Sequence, residues 1–167
     1  KIVQINAVYG VGSTGRIAQD IAAQLRKQGH EAYVFWATLC RADENAHLIR
    51  IGNTLDHKLH ALLRRLDGKQ GWHSKAATRK LCRDLLRIQP DVVHLQCING
   101  YFVNIYRLIT WLKERGMKTV LTLHAEFMYT ANCGHALDCD RWLTGCGRCP
   151  RCRQETKSLF FDGTARS

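Results

Sequence analysis

The chain has 167 residues, 46% of them apolar, and a formal net charge of +11. That length suits one domain with a sizeable core, and that composition excludes a disordered chain. No run of about 18 apolar residues is present, which excludes a membrane-spanning helix; residues 1–6 alternate like a strand and do not resemble a signal peptide. Lys1 is not a methionine, so a processed start stays open. The positive charge suits anions: nucleic acid, anionic lipid or phosphorylated substrates. It is concentrated in two blocks, Lys58, Arg64, Arg65, Lys69, Lys75, Arg79, Lys80, Arg83 and Arg87, then Arg141, Arg148, Arg151, Arg153 and Lys157.

Taken in chain order, Ile2 to Val8 reads as a strand and Tyr9 to Gly15 as a glycine loop. Arg16 to Gln28 reads as a helix with Ile17, Ile21 and Leu25 on its packed face and Gly29 as its stop. Glu31 to Ala37 and His47 to Ile51 are the next strands. Asn53 or Thr54 caps a helix expected to turn Leu55, Leu59, Leu62, Leu63 and Leu66 inward. Ser74 caps the following one, with Ala77, Leu81 and Leu85 inward, and Pro90 ends it. Asp91 to Gln96 is a fourth strand, Asn104 to Glu114 a helix and Lys118 to Leu123 a fifth strand.

Strands alternating with helices indicate an α/β fold: a doubly wound, Rossmann-like parallel sheet. Right-handed crossovers place strands three and two on one side of the first, and four and five on the other. Ligands then bind at the carboxyl ends of the strands, near the switch point. The expected crevice gathers the first glycine loop, the segment from His94 to Tyr101, and His124.

Gly10-Val11-Gly12-Ser13-Thr14-Gly15 fits G-x-G-x-x-G between a strand and a helix. A dinucleotide site also wants an acidic residue ending the second strand; Phe35-Trp36-Ala37-Thr38 stands there, so the loop reads as an anion or sugar loop instead. A tight packing turn is the plainer reading. His124 points to the crevice as a candidate catalytic residue, while His94 reads first as a hydrogen-bonded structural residue and second as a ligand-binding one. His30, His47, His57, His60 and His73 read as surface residues.

From Ala125 to Lys157 periodicity gives way to Cys133, Cys139, Cys146, Cys149 and Cys152, with two overlapping CxxC pairs. Zinc wants four thiolate or imidazole ligands. The expected structural zinc set is Cys133, Cys139, Cys146 and Cys149, with Cys152 or His135 as substitutes. Two disulfides are the competing reading. They require an oxidising compartment. Cys40, Cys82 and Cys97 read as ordinary buried thiols.

Together these segments resemble bacterial family 4 glycosyltransferases, retaining enzymes of the two-domain GT-B fold. The resemblance rests on the opening Ile2 to Asn6, Gly10 to Ile17, Pro90 to Leu95 with Asn99-Gly100-Tyr101, and Thr122-Leu123-His124. Cys139-Asp140-Arg141-Trp142, Thr144-Gly145-Cys146, Cys149-Pro150 and Lys157-Ser158-Leu159-Phe160 resemble the insert of the colanic-acid and exopolysaccharide branch. Asn99 stands where that branch often has histidine, and Ala125-Glu126-Phe127 replaces an aspartate followed by aromatics.

The resemblance implies a Rossmann-like acceptor-side domain (residues 1–124), a zinc-knuckle-like insert (125–157) and the start of a truncated remainder (158–167) lacking the second domain. It implies transfer from a nucleotide-sugar donor to a glycan or lipid-linked acceptor in surface polysaccharide biosynthesis, this piece alone being inactive. His124 would be catalytic; Gly12, Ser13, Gly15, Arg16, His94, Asn99 and Tyr101 would bind substrate. The implied location is cytoplasmic, peripheral on an anionic inner-membrane face, with no nucleic-acid partner. Two other classes remain in view, a non-catalytic sugar or lipid-phosphate binding fragment and a zinc-containing nucleic-acid-binding module.

Overall fold

The computed structural model describes residues 1–131, 133–156 and 158–164. Lys157 of the second basic block and the terminal residues 165–167 lie outside them. The elements are β1 (Ile2–Ile5), β2 (Val8–Tyr9), α1 (Gly12–Lys27), β3 (Ala32–Trp36), β4 (Leu39–Cys40), β5 (His47–Arg50), α2 (Thr54–Asp67), α3 (Lys75–Ile88), β6 (Val92–Leu95), α4 (Ile105–Glu114) and β7 (Thr119–Leu121). Five strands form one parallel sheet in the order β5-β3-β1-β6-β7. This is the doubly wound order expected from the alternation; the short β2 and β4 pair separately.

Alternation along β1 splits the core in two. Val3 and Ile5 join Phe35, Leu81, Leu85, Val93, Leu95, Leu108 and Leu112 beneath α3 and α4. On the other face, Ala32 and Val34 meet Tyr9, Ala18 and Ala22 under α1. α1 therefore packs through Gly15, Ala18 and Ala22, and Ile17, expected inward, is exposed. Small residues let this helix approach the sheet closely, which a large-residue pattern does not reveal. Tyr9 is fully buried, and its hydroxyl donates to Asp43 Oδ2 at 2.6 Å, with Arg26 on the same carboxylate at 3.4 Å. Burial and the Asp43 bond push the phenol up to about 12. Tyr9→Phe should therefore lower stability by about 1 kcal/mol in urea unfolding, since it leaves a partly buried carboxylate short of a donor.

α2 departs most from expectation. Asn53 caps it in a reciprocal box with Asp56, and Gly68 ends it in the left-handed conformation. Its leucines at 55, 59, 62 and 66, however, face outward, and the buried positions are His60 and Arg64. α3 buries Ala77, Leu81 and Leu85 as expected. Ser74 precedes it without capping it, because the Ser74 hydroxyl lies 2.7 Å from His60 Nδ1.

Candidate functional site

The glycine motif is the first turn of α1 more than a loop, because the helix begins at Gly12. Gly10 and Gly12 both hold φ of +66°. The Gly10 N–H is consumed internally, donating to Gly15 O at 2.8 Å. No side chain caps α1 and its first turn has no acidic residue. The N–H groups of Gly12, Ser13 and Thr14 thus keep their partial positive charge for an anion. Gly12, Ser13 and Arg16 are exposed, whereas Gly15 is buried against Val8 and cannot reach a ligand with a side chain. Buried Asn6, not anticipated from sequence, ties this turn to the sheet. Its Nδ2 donates to Val8 O and Thr14 O, and its Oδ1 accepts from Cys97 N at 3.0 Å. An asparagine directly after a buried strand was the available signal.

The Asn99 to Tyr101 segment follows β6 at the same end of the sheet. A polar cluster under α2 holds it. Arg64, only 2% exposed, donates to Gln70 Oε1 at 3.0 Å and lies 5.0 Å from the Tyr101 ring centroid. Gln70 Nε2 in turn donates to Asn99 O at 3.0 Å. Arg64 is therefore an internal support of this loop and not part of a basic surface. His60, expected at the surface, is 1% exposed, with its ring against His73 and Tyr101. His73 is half-buried and 3.3 Å from Asp67. Asn99 Oδ1 accepts from the Cys97 thiol at 3.0 Å.

His94 and His124 meet at the ends of β6 and β7. His94 Nε2 lies 2.7 Å from Thr122 Oγ1. Burial, then the charge of His124, hold the His94 pKa below its usual range, so this imidazole stays neutral. His124 is half-buried, and its Nε2 has no hydrogen-bond partner among the described residues. His124 lines a pocket of about 10 Å³ with Gln96, Asn99, Thr122 and Phe127, although the ring nitrogen itself is buried. One water is the most it holds, so a sugar would have to rest on an open shelf there. A larger concavity, about 560 Å³, lies between α3 and α4, with Arg79, Arg83 and Arg107 around Trp111. None of its lining residues belongs to the expected crevice, and size alone does not make it the site.

The cysteine-rich segment does not form the expected zinc set. Among the described residues no three of His, Cys, Asp and Glu are grouped to hold a metal ion. No disulfide joins any of the eight cysteines. Cys133 N instead donates to Thr130 Oγ1, and Cys146 lines a cavity of about 270 Å³ against α4 with Tyr129 and Trp142. Cys149 feels the charges of Asp162, Cys152 and Cys139; burial first, and these neighbours next, raise its thiol pKa. Of the arginines in this segment, Arg141 donates to Gly147 O and Arg148 O, and Arg151 pairs with the Asp138 carboxylate. Of the other thiols, Cys82 is buried, and Cys40 and Cys97 are half-buried.

The model of Glycosyltransferase Family 4 matches residues 14–148, most of the chain and all of the strand-end crevice after Ser13. The chain belongs to glycosyltransferase family 4. Over 66 residues it is 27% identical to WcaC of Escherichia coli K12, whose name gives it as a glycosyl transferase of colanic acid biosynthesis. That alignment covers 36% of this chain and 16% of WcaC. No solved structure matches the chain. Among the described residues no helix is long and apolar enough to cross a membrane.

Proposed function

We propose that this chain forms the acceptor-side half of a retaining glycosyltransferase, which moves a sugar from a UDP- or GDP-sugar to a glycan or lipid-linked acceptor in surface polysaccharide assembly. The observation that carries this reading is the meeting of three features at one end of the sheet: the uncapped start of α1, the propped Asn99–Tyr101 loop, and the unpaired His124 Nε2. Negative charge grows on the departing diphosphate during transfer. Fixed N–H dipoles at Gly12 and Ser13, with Arg16 beside them, would stabilise it without reorganisation. His124 would hydrogen-bond the donor sugar, with His94 holding its strand end in place. Asn99 and Tyr101 would face the acceptor. No step is assigned to zinc, since the cysteines do not gather around a common point.

The test is transfer of radiolabelled sugar from UDP- and GDP-sugars to a soluble glycan acceptor by the chain joined to its donor-side half, with His124→Ala alongside. Loss of a buried hydrogen bond to a polar substrate should lower turnover about 10- to 100-fold with little change in stability. Unimpaired transfer by His124→Ala would remove His124 from the site. Donor or acceptor binding without turnover would favour the non-catalytic sugar or lipid-phosphate binding reading.

A further inference from the structure

α3 and α4 lie side by side on the face of the sheet opposite α1, and the seam between them holds the cavity of about 560 Å³. Its polar lining comes from two facing pairs of positions. Arg79 and Arg83 stand one turn apart on α3, and Arg107 and Trp111 stand one turn apart on α4. The three arginines are exposed and Trp111 is half-buried. None of these arginines takes part in an ion pair among the described residues. The carboxylates of the two helices are placed elsewhere. Asp84 pairs with Lys80 at 2.7 Å and Arg87 at 3.8 Å, and neither Asp84 nor Glu114 lines the cavity. Arg115 adds a fourth cation, its guanidinium 5.8 Å from the Trp111 ring centroid. Like charges one turn apart destabilise a helix, and gathering more of them around one hollow adds to that cost. An anion held between the helices turns the cost into a gain.

We propose that this cavity binds a nucleoside polyphosphate, with the base against Trp111 and the phosphates between Arg79, Arg83 and Arg107. The volume suits a ligand of that size. A guanidinium's planar fork matches phosphate oxygens two at a time, so forks from two helices suit a chain of phosphates better than a single one. The indole, with Cys82 and Leu86 in the same wall, gives the base an apolar plane to stack on. An inorganic anion has no use for that wall. An acidic segment of another protein fits the charge but needs an extended groove, whereas this hollow reaches only from Arg107 to Trp111 along α4. The site is separate from the strand-end crevice, since α1, with its uncapped start, packs on the other face of the sheet. The proposal therefore does not rest on the glycosyltransferase reading.

The experiment is titration calorimetry of the chain with ATP and, separately, with tripolyphosphate. ATP should bind with an affinity that falls as salt rises, and tripolyphosphate should bind more weakly. Arg83→Glu/Arg107→Glu should weaken ATP roughly a hundredfold, because two charge-assisted contacts become repulsive. Trp111→Leu keeps an apolar side chain and removes the ring. It should weaken ATP roughly tenfold and leave tripolyphosphate unchanged. Lys58→Glu/Arg65→Glu, on exposed positions of α2, changes the net charge by the same amount and should leave ATP binding nearly unchanged. Circular dichroism confirms that each variant is folded. Absence of ATP binding, or equal losses in the two charge-reversed pairs, would overturn the proposal. So would tripolyphosphate binding as tightly as ATP with Trp111→Leu silent for both, which would leave only a cationic patch. Loss of ATP binding in Arg16→Glu but not in Arg83→Glu/Arg107→Glu would overturn it too, by placing the nucleotide at the start of α1. So would displacement of ATP by a polyglutamate peptide that binds more tightly to the same arginines, which would give the seam to an acidic protein segment. No sugar transfer is read in these titrations, so failure here leaves the glycosyltransferase reading to its own test.

Discussion

Gly10→Val should destabilise the domain by about 4 kcal/mol, much of the stability of a domain this size. Two costs combine at this position. Gly10 sits at φ +66°, where a β-branched residue is a severe outlier and any side chain loses about 1–2 kcal/mol. A Cβ there would also lie 2.8 Å from Arg41 Cβ, an atom fixed to the backbone that cannot swing away. Relieving that contact moves the chain after β4, whose Arg41 N–H donates to Tyr9 O at 2.8 Å. Overpacking of this kind adds about 1–3 kcal/mol. Gly12→Ala is the matched comparison. It has the same φ, but an added Cβ meets nothing within 4 Å, so about 1 kcal/mol of conformational strain is all it should lose. Urea midpoints of the two variants separate the costs. Equal losses would show that Arg41 yields, and that conformation alone explains the glycines of this turn.

These two glycines also show how far the sequence could be read. The motif's place between a strand and a helix was legible, because G-x-G-x-x-G has that context written around it. The partner of Gly10 was not, since Arg41 is distant in the chain and reaches it only through the β2–β4 pairing. The sheet order was legible for a similar reason: strand and helix periods alternate, and right-handed crossovers leave few arrangements. α2 failed where periodicity must fail. A leucine stripe reports that a helix has an apolar face, but not that the face meets this protein's own core. The reverse side, with His60 and Arg64, looked like surface and is the interior. In the cysteine-rich segment, spacing suggested four converging ligands. The chain between them instead follows backbone bonds such as Glu126 N–H to Gly134 O and Arg141 to Gly147 O. Ligand spacing in sequence limits which thiols can meet; it does not make them meet.

His60 should make the stability of the whole domain fall steeply in mild acid. The ring is buried between α2, α3 and the Tyr101 loop, and burial is the main reason its pKa is pushed down to about 4. The charges facing it add to this. His73, Arg64 and His57 all oppose a proton on His60, and Asp67 alone favours one. Ser74 Oγ shares Nδ1, while Nε2 is buried with no partner among the described residues, so an added proton there would gain no hydrogen bond. The folded protein therefore binds the proton more weakly than the unfolded chain, whose histidines titrate near their usual value of about 6.5. Above about pH 6.5 the stability tied to neutral His60 is fully present. It is lost as pH falls from about 6.5 to about 4, and below that no more is lost from this residue. Each tenfold difference in proton affinity is worth about 1.4 kcal/mol, so the whole loss is about 3 kcal/mol. His60→Gln keeps a polar group beside Ser74 and removes the titration. Urea unfolding at a series of pH values should show a slope in the wild type that is largely gone in His60→Gln. Parallel slopes would mean that His60 takes its proton without difficulty, and that the polar interior beneath Tyr101 is open to water.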